Sequence, residues 1–246
     1  MYQKLKIIIK FILPQGIANR VENLFRKLYS LFYSGNKVYC TICQKHFSKF
    51  IVLENGDQLC PACGSLPRHR RLWLIINEEN KINNDDVMLH FSPEKCITQK
   101  LKKLYEEKYH TTDYDTKTNT KFHFDITNIA AKEATYTYMI CYHVLEHIEN
   151  DMQAMKELYR ILKPQGKIVI QTPFKEGAIY ENAEVKTKQD RLKHFGQDDH
   201  VRIYSVDGLK KRLESVGFNV ALKQYENEKN NFYGFKKQET IFICEK

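Results

Sequence analysis

The chain has 246 residues, 42% of them hydrophobic, 28% charged and 12% aromatic, with a net charge of +9. That length holds one large α/β domain and a small module, and the composition excludes a chain too polar to build a core. The basic balance favours contact with nucleic acid, anionic lipid or an acidic substrate, and does not choose among them.

Residues 1–36 read as a basic amphipathic lead helix. Ile17, Val21, Leu24, Leu28, Leu31 and Phe32 recur at helical spacing, with Arg20, Arg26 and Lys27 around them. The expectation is a helix packed on the main domain; a second reading is peripheral contact with a membrane or an anionic partner. The apolar run Ile7–Leu13 resembles a signal core, but Lys10 interrupts it, Pro14 ends it and no small-residue cleavage site follows. No stretch is long enough to span a bilayer.

Residues 37–66 read as a zinc ribbon. Cys40-x2-Cys43 and Cys60-x2-Cys63 form two knuckles whose four thiolates can close a tetrahedron around Zn²⁺, and Gly64 suits the tight turn after the last. With sulfur in all four positions the metal is structural. The other three of the seven cysteines, Cys96, Cys141 and Cys244, sit singly in apolar surroundings. This usage points to a reducing, cytoplasmic compartment.

The main domain is expected over 67–246. A helix spans Arg68–Ile76, and Val87–Phe91 is a buried strand. A helix follows Pro93 with the stripe Ile97, Leu101, Leu104 and Tyr105. Tyr109–Asp113, Lys121–Phe124 and Tyr136–Tyr142 are the next strands. Asn150 or Asp151 caps a helix striped by Met152, Met155, Leu158, Tyr159 and Leu162, which Lys163–Gly166 stops. Lys167–Gln171 is a fifth strand, and a long polar segment runs from about 174 to 203. A helix opened by Asp207 ends at Gly217, and strands at Phe218–Leu222 and Thr240–Cys244 close the chain. Strands separated by helices imply a mostly parallel, doubly wound sheet.

Ligands bind at the carboxyl ends of such strands. The first strand ends at His90, Phe91 and Ser92, with Glu94 just beyond. Asp113, about twenty residues on, has the usual distance for an acid that holds ribose hydroxyls. Asp125 ends the third strand, where a carboxylate reaches an adenine amino group. Three polar strand ends in order point to a nucleoside-type cofactor.

Cys141-Tyr142-His143-Val144-Leu145-Glu146-His147-Ile148, then Glu157-Leu158-Tyr159-Arg160-Ile161-Leu162-Lys163-Pro164-Gln165-Gly166, resembles the S-adenosylmethionine-dependent methyltransferases of the broad type 11 group. The resemblance covers about 85–245. It implies a Rossmann-like seven-stranded sheet with a reversed final strand and S-adenosylmethionine lying over the first strands, with Tyr142 joining the cofactor site. The glycine-rich loop usual after the first strand is absent; Leu89-His90-Phe91-Ser92-Pro93-Glu94 stands in its place. That stretch, the knuckle ending Cys63-Gly64-Ser65-Leu66-Pro67-Arg68-His69-Arg70 and the segment Arg191–Arg202 are together similar to a subgroup of these enzymes.

The resemblance implies methylation of a small metabolite or glycan acceptor; RNA is a second acceptor class, compatible with the charge. Arg191, His194, Asp199 and Arg202 are the substrate candidates, since an Arg grips carboxylate or phosphate. His143 and His200 are the candidate bases, with His147 expected to pack and cap instead. The rival is a non-catalytic binding protein on the same fold, which the missing glycine loop favours.

Overall fold

The computed structural model describes residues 24–79, 86–226 and 230–246. The chain divides into two compact units, Met1–Lys81 with Glu226–Gln238 and Ile82–Tyr225 with Glu239–Lys246. The expected division at 66/67 therefore differs from the observed one. The helix after the ribbon belongs with the ribbon, and so does a late return of the chain near 230–238.

In the first unit β1 (Val38–Cys40) pairs with β2 (Lys45–Phe47), and β3 (Ile51–Val52) pairs with β4 (Gln58–Leu59), both antiparallel. Helix α1 (Pro67–Leu74) follows, with Pro67 in the first turn, where its missing N–H costs nothing. Arg70 of α1 is fully buried. Its guanidinium donates to the carbonyls of Ser65 (2.8 Å), Gln58 (2.9 Å), Tyr233 (2.6 Å) and Gly234 (2.7 Å). It also lies 4.2 Å from the centre of the Phe50 ring. One cation thus ties three stretches of backbone in this unit together. Residues 1–23 of the expected lead helix lie outside the described residues. Residues 24–29 are helical, but Leu24, Leu28, Leu31 and Phe32 are 57–84% exposed while Arg26 is buried. The apolar stripe expected to pack inward faces outward over this stretch.

The second unit is built on a six-stranded sheet in the order β11-β12-β8-β7-β5-β6. Its strands are β5 (Met88–Phe91), β6 (Tyr109–Thr112), β7 (Tyr136–Tyr142), β8 (Leu162–Gln171), β11 (Asn219–Tyr225) and β12 (Glu239–Glu245). β6, β5, β7 and β8 run parallel; β12 is antiparallel to both of its neighbours, giving the expected reversed final strand. Helices α2 (Lys95–Tyr105), α3 (Asp151–Ile161) and α5 (Val206–Val216) connect them. On one face Leu89, Cys141, Ile168, Ile170 and Phe242 of the sheet are buried with Met155, Leu158, Leu209 and Leu213 of α3 and α5. Each such side chain contributes roughly 1.5–3 kcal/mol on burial. The Asn150 side chain caps α3 by accepting from the Gln153 amide (3.2 Å), and Gly217 ends α5 in the left-handed region at φ +116°.

Three expectations change. The sheet has six strands, not seven, because Lys121–Phe124 makes only the isolated bridge Thr112↔Phe122. Threonine hydroxyls stand in for strand partners there: Thr111 Oγ1 accepts from the Lys121 amide (3.0 Å) and Thr112 Oγ1 from the Phe124 amide (3.0 Å). The fifth strand starts at Leu162, since the chain leaves the helix directly into extended pairing with Tyr136. The polar segment after it holds β9 (Tyr180–Glu181), helix α4 (Lys188–Phe195) and β10 (Arg202–Ile203), with β9 and β10 paired antiparallel.

Candidate functional site

In the first unit Cys40 Sγ lies 3.6 Å from Cys63 Sγ, and Cys43 Sγ 3.7 Å from Cys60 Sγ. All four sulfurs lie within 4.8 Å of one another. A tetrahedron of Zn–S bonds of about 2.3 Å has edges of about 3.8 Å, so the donor set fits a zinc ion. Ser65, wholly buried, places Oγ 3.3 Å from Cys40 Sγ and 3.2 Å from Cys63 Sγ. A hydroxyl so placed steadies thiolates from behind. Gly64 carries φ +71°, and a Cβ there would meet the Arg26 guanidinium at 2.9 Å.

In the second unit a cavity of about 760 Å³ opens at the carboxyl ends of β5, β6 and β7, within the size range of small-ligand sites. Phe91 and Ser92 line it from β5, Thr112 and Asp113 from β6, and Phe124, Asp125 and Thr127 from the segment beyond. Each acid holds its own turn: Asp113 Oδ1 accepts from the Asp115 amide (3.0 Å), and Asp125 Oδ1 from the Thr127 amide (2.8 Å).

Ser92 and His143 both have left-handed backbone, at φ +44° and +53°. The Ser92 amide donates to the Thr112 carbonyl (2.9 Å) and the His143 amide to the Gln171 carbonyl (2.8 Å). The loop after β5 thus adopts at Ser92 a conformation ordinarily given to glycine, at a cost of roughly 1–3 kcal/mol.

Behind the cavity lies a polar cluster. His143 Nδ1 is 3.1 Å from Glu146 Oε1. His147 Nδ1 is 3.4 Å from Asp199 Oδ2, and the His147 and His200 rings meet edge to face with centroids 4.7 Å apart. Glu146 and His200 are buried. Burial pulls the Glu146 carboxyl upward, but the hydrogen bond and charge of His143 outweigh it and hold it below the usual range. Burial holds the His200 imidazole below its ordinary value. The Val201 amide donates to the Glu146 carbonyl (2.9 Å), which fixes this loop against the 3-10 turn Leu145–His147.

Of the residues proposed from sequence, Phe91, Ser92, Asp113, Asp125, His143 and Asp199 come together around the cavity. His90, Glu94 and Tyr142 do not line it. His90 is fully buried, with Nδ1 2.7 Å from the Tyr109 hydroxyl and Nε2 3.9 Å from Glu94. Tyr142 is buried, and that burial pushes its hydroxyl well above the ordinary value.

Arg202, expected to grip substrate, is committed to the chain itself. Its guanidinium donates to the carbonyls of Leu145, Ile148 and Glu149 and to Glu181. Arg191 pairs with Glu149 (3.2 Å) and lines a second cavity of about 790 Å³; Glu149 lines both cavities. His194 Nδ1 is held by the Tyr180 hydroxyl at 2.6 Å. Sequence reasoning missed Thr112, Phe124 and Thr127 at the cavity and Glu146 behind it. The acid in Val144-Leu145-Glu146-His147 was the available signal for the last.

The family model for a methyltransferase domain matches residues 24–223. An uncharacterized protein of Methanocaldococcus jannaschii is 29% identical over 86 residues, 35% of this chain and 36% of that protein. The chain thus spans about a third of the length of the curated relative it matches. Among solved structures, the YcgJ protein of Bacillus subtilis is similar with a TM-score of 0.52 at 11% identity, over 72% of this chain and 99% of that one. The [4+2]-cyclase SpnF gives 0.51 at 11% identity, over 72% of this chain and 80% of that one. A Haemonchus contortus phosphoethanolamine N-methyltransferase, in complex with phosphomonomethylethanolamine and S-adenosylhomocysteine, gives 0.50 at 10% identity, over 72% of this chain and 52% of that one. At these identities the likeness is one of fold. With the family match running over most of its length, the chain belongs to the methyltransferase-domain family.

Proposed function

We propose that the chain is an S-adenosylmethionine-dependent methyltransferase acting on an oxygen or nitrogen of a small metabolite or glycan, with a structural zinc ion in its ribbon. The observation that carries this reading is the cavity at the ends of β5, β6 and β7, where carboxylates and aromatic rings stand in the order a nucleoside needs. Asp113 suits the ribose hydroxyls. Asp125 and Thr127 suit the adenine amino edge, with Phe124 and Ile126 as apolar walls. Bound there, S-adenosylmethionine supplies a methyl group already activated on a sulfonium.

The protein's own task is then placement. Ser92 turns the backbone tightly at the end of β5. His143 stands at the cavity wall with Nδ1 held by Glu146, which fixes the ring; its Nε2, buried and without a hydrogen-bond partner among the described residues, is the nitrogen that would take the proton an oxygen acceptor sheds. Glu149, shared by both cavities, marks the side from which an acceptor would enter. A [4+2]-cyclase shares this fold, so fold alone does not assign the reaction; the family match and the donor set support methyl transfer.

Calorimetric titration with S-adenosylhomocysteine tests the reading. Micromolar binding is expected, weakened roughly 10- to 150-fold in Asp113→Ala through loss of charge-assisted hydrogen bonds of about 1.5–3 kcal/mol. No binding to the unaltered chain overturns it. The net charge of +9 is compatible with RNA as the second acceptor class; binding to RNA that weakens with salt and persists at moderate salt would select it.

A further inference from the structure

Glu146, His147 and His200 each offer a ligand atom, and these atoms lie within 4.8 Å of one another. We propose that they form a second metal site, distinct from the four-cysteine ribbon, which takes a divalent transition cation at the wall of the cofactor cavity.

The donor set argues for it. Two imidazoles and a carboxylate suit Zn²⁺, Fe²⁺, Mn²⁺ or Co²⁺ better than the all-oxygen shell that Mg²⁺ prefers. The Glu146 side chain is 1% exposed, and its Oε2 has no hydrogen-bond partner among the described residues. A buried carboxylate oxygen left so is costly unless a cation meets it. Its other oxygen, Oε1, is held by His143 at 3.1 Å, and His147 Nδ1 lies 3.3 Å from the Asp199 carbonyl oxygen. Those are the outer contacts that orient metal-binding carboxylates and imidazoles. His200 is delivered by the loop whose Val201 amide binds the Glu146 carbonyl.

Three protein ligands leave coordination positions open, the arrangement of a metal that handles substrate rather than one that only braces a fold. Of the three ligands His147 lines the cavity, beside His143 and Asp199, so the site would meet that space through His147. A hydroxyl or carboxylate oxygen of the acceptor is the ligand class its open positions would hold. This role at the acceptor rests on the methyl-transfer reading above; the binding of the ion does not.

The test uses the full chain with its ribbon loaded with zinc. Titration with Co²⁺ should fill one further equivalent, with the weak visible bands of nitrogen and oxygen ligands and without thiolate charge-transfer bands. In His147→Ala, which alters a partly exposed side chain, and in Glu146→Gln, cobalt affinity should fall at least about 100-fold. The site is overturned if the unaltered chain takes up no cobalt beyond the ribbon, a result that needs no variant to fold. It is equally overturned if uptake is the same in both variants. Titrating the same samples with S-adenosylhomocysteine separates the two readings. Binding of the nucleoside without cobalt uptake overturns this site alone. Cobalt uptake without nucleoside binding upholds the site and overturns the methyl-transfer reading.

Discussion

Two clusters of metal-ligating side chains differ in almost every physical respect. The ribbon cluster uses four sulfurs on hairpins whose strands are only two or three residues long. The Glu146–His147–His200 cluster uses nitrogen and oxygen, sits beyond the carboxyl end of the interior strand β7 of a six-stranded sheet with its own large core, and would leave coordination positions open. In the first, ligands and fold depend on each other; in the second, the fold supplies the ligands already placed. A closed, soft site braces the chain, and an open, harder site beside a cavity can meet a substrate.

The largest expected effect breaks the comparison directly. Stripping the metal with a strong chelator should unfold the ribbon, because structural zinc supplies roughly 10–16 kcal/mol to such modules. Hydrogen exchange followed by mass spectrometry should show 38–66 losing protection while β7 and β8 keep theirs. Equal loss in both units would mean that the sheet's core does not stand on its own.

Next come two of the buried arginines. Arg70 and Arg202 each tie several backbone carbonyls, one in each unit. Replacing either by Met leaves buried acceptors unmet, at about 1–3 kcal/mol for each. With four carbonyls unmet, Arg70→Met should cost about 4 kcal/mol or more, read as a fall in Tm and weaker zinc retention. Arg202→Met should destabilise the second unit and, by freeing Leu145–Glu149, weaken S-adenosylhomocysteine binding. An Arg202→Met chain with unchanged nucleoside affinity would show that this brace does not position the cavity.

How much of this was legible in the sequence follows the same division. The ribbon ligands were legible because a thiolate knuckle is local: Cys40-x2-Cys43 and Cys60-x2-Cys63 carry their geometry in their spacing. Asp113 was legible because strand ends are set by hydrophobic pattern; Asp125 follows a segment that reads as a strand and makes only an isolated bridge. His90 stands outside the cavity for a reason of register. Side chains alternate along a strand, so a residue one step from the carboxyl end points to the other face of the sheet. Glu146 went unseen and the bracing contacts of Arg202 were not legible, because both depend on contacts across 50 or more residues, such as Arg202 to Ile148 and Val201 to Glu146. Spacing within a motif cannot announce those.

The smallest effect compares the two left-handed turns. Gly64 and Ser92 both have positive φ, at +71° and +44°, yet one is glycine and the other is not. Gly64→Ala adds a Cβ against the Arg26 guanidinium in a conformation that L-residues resist by roughly 1–2 kcal/mol, so it should destabilise the ribbon by about that much. Ser92→Gly runs the other way. It removes the same backbone penalty but frees the unfolded chain, which returns roughly 0.5–1 kcal/mol. The expected balance is a gain of up to about 1 kcal/mol in chemical denaturation. A loss of stability would mean that the Ser92 side chain makes a contact worth more than the strain of its turn, and the loop after β5 would then be held by serine chemistry rather than by backbone shape.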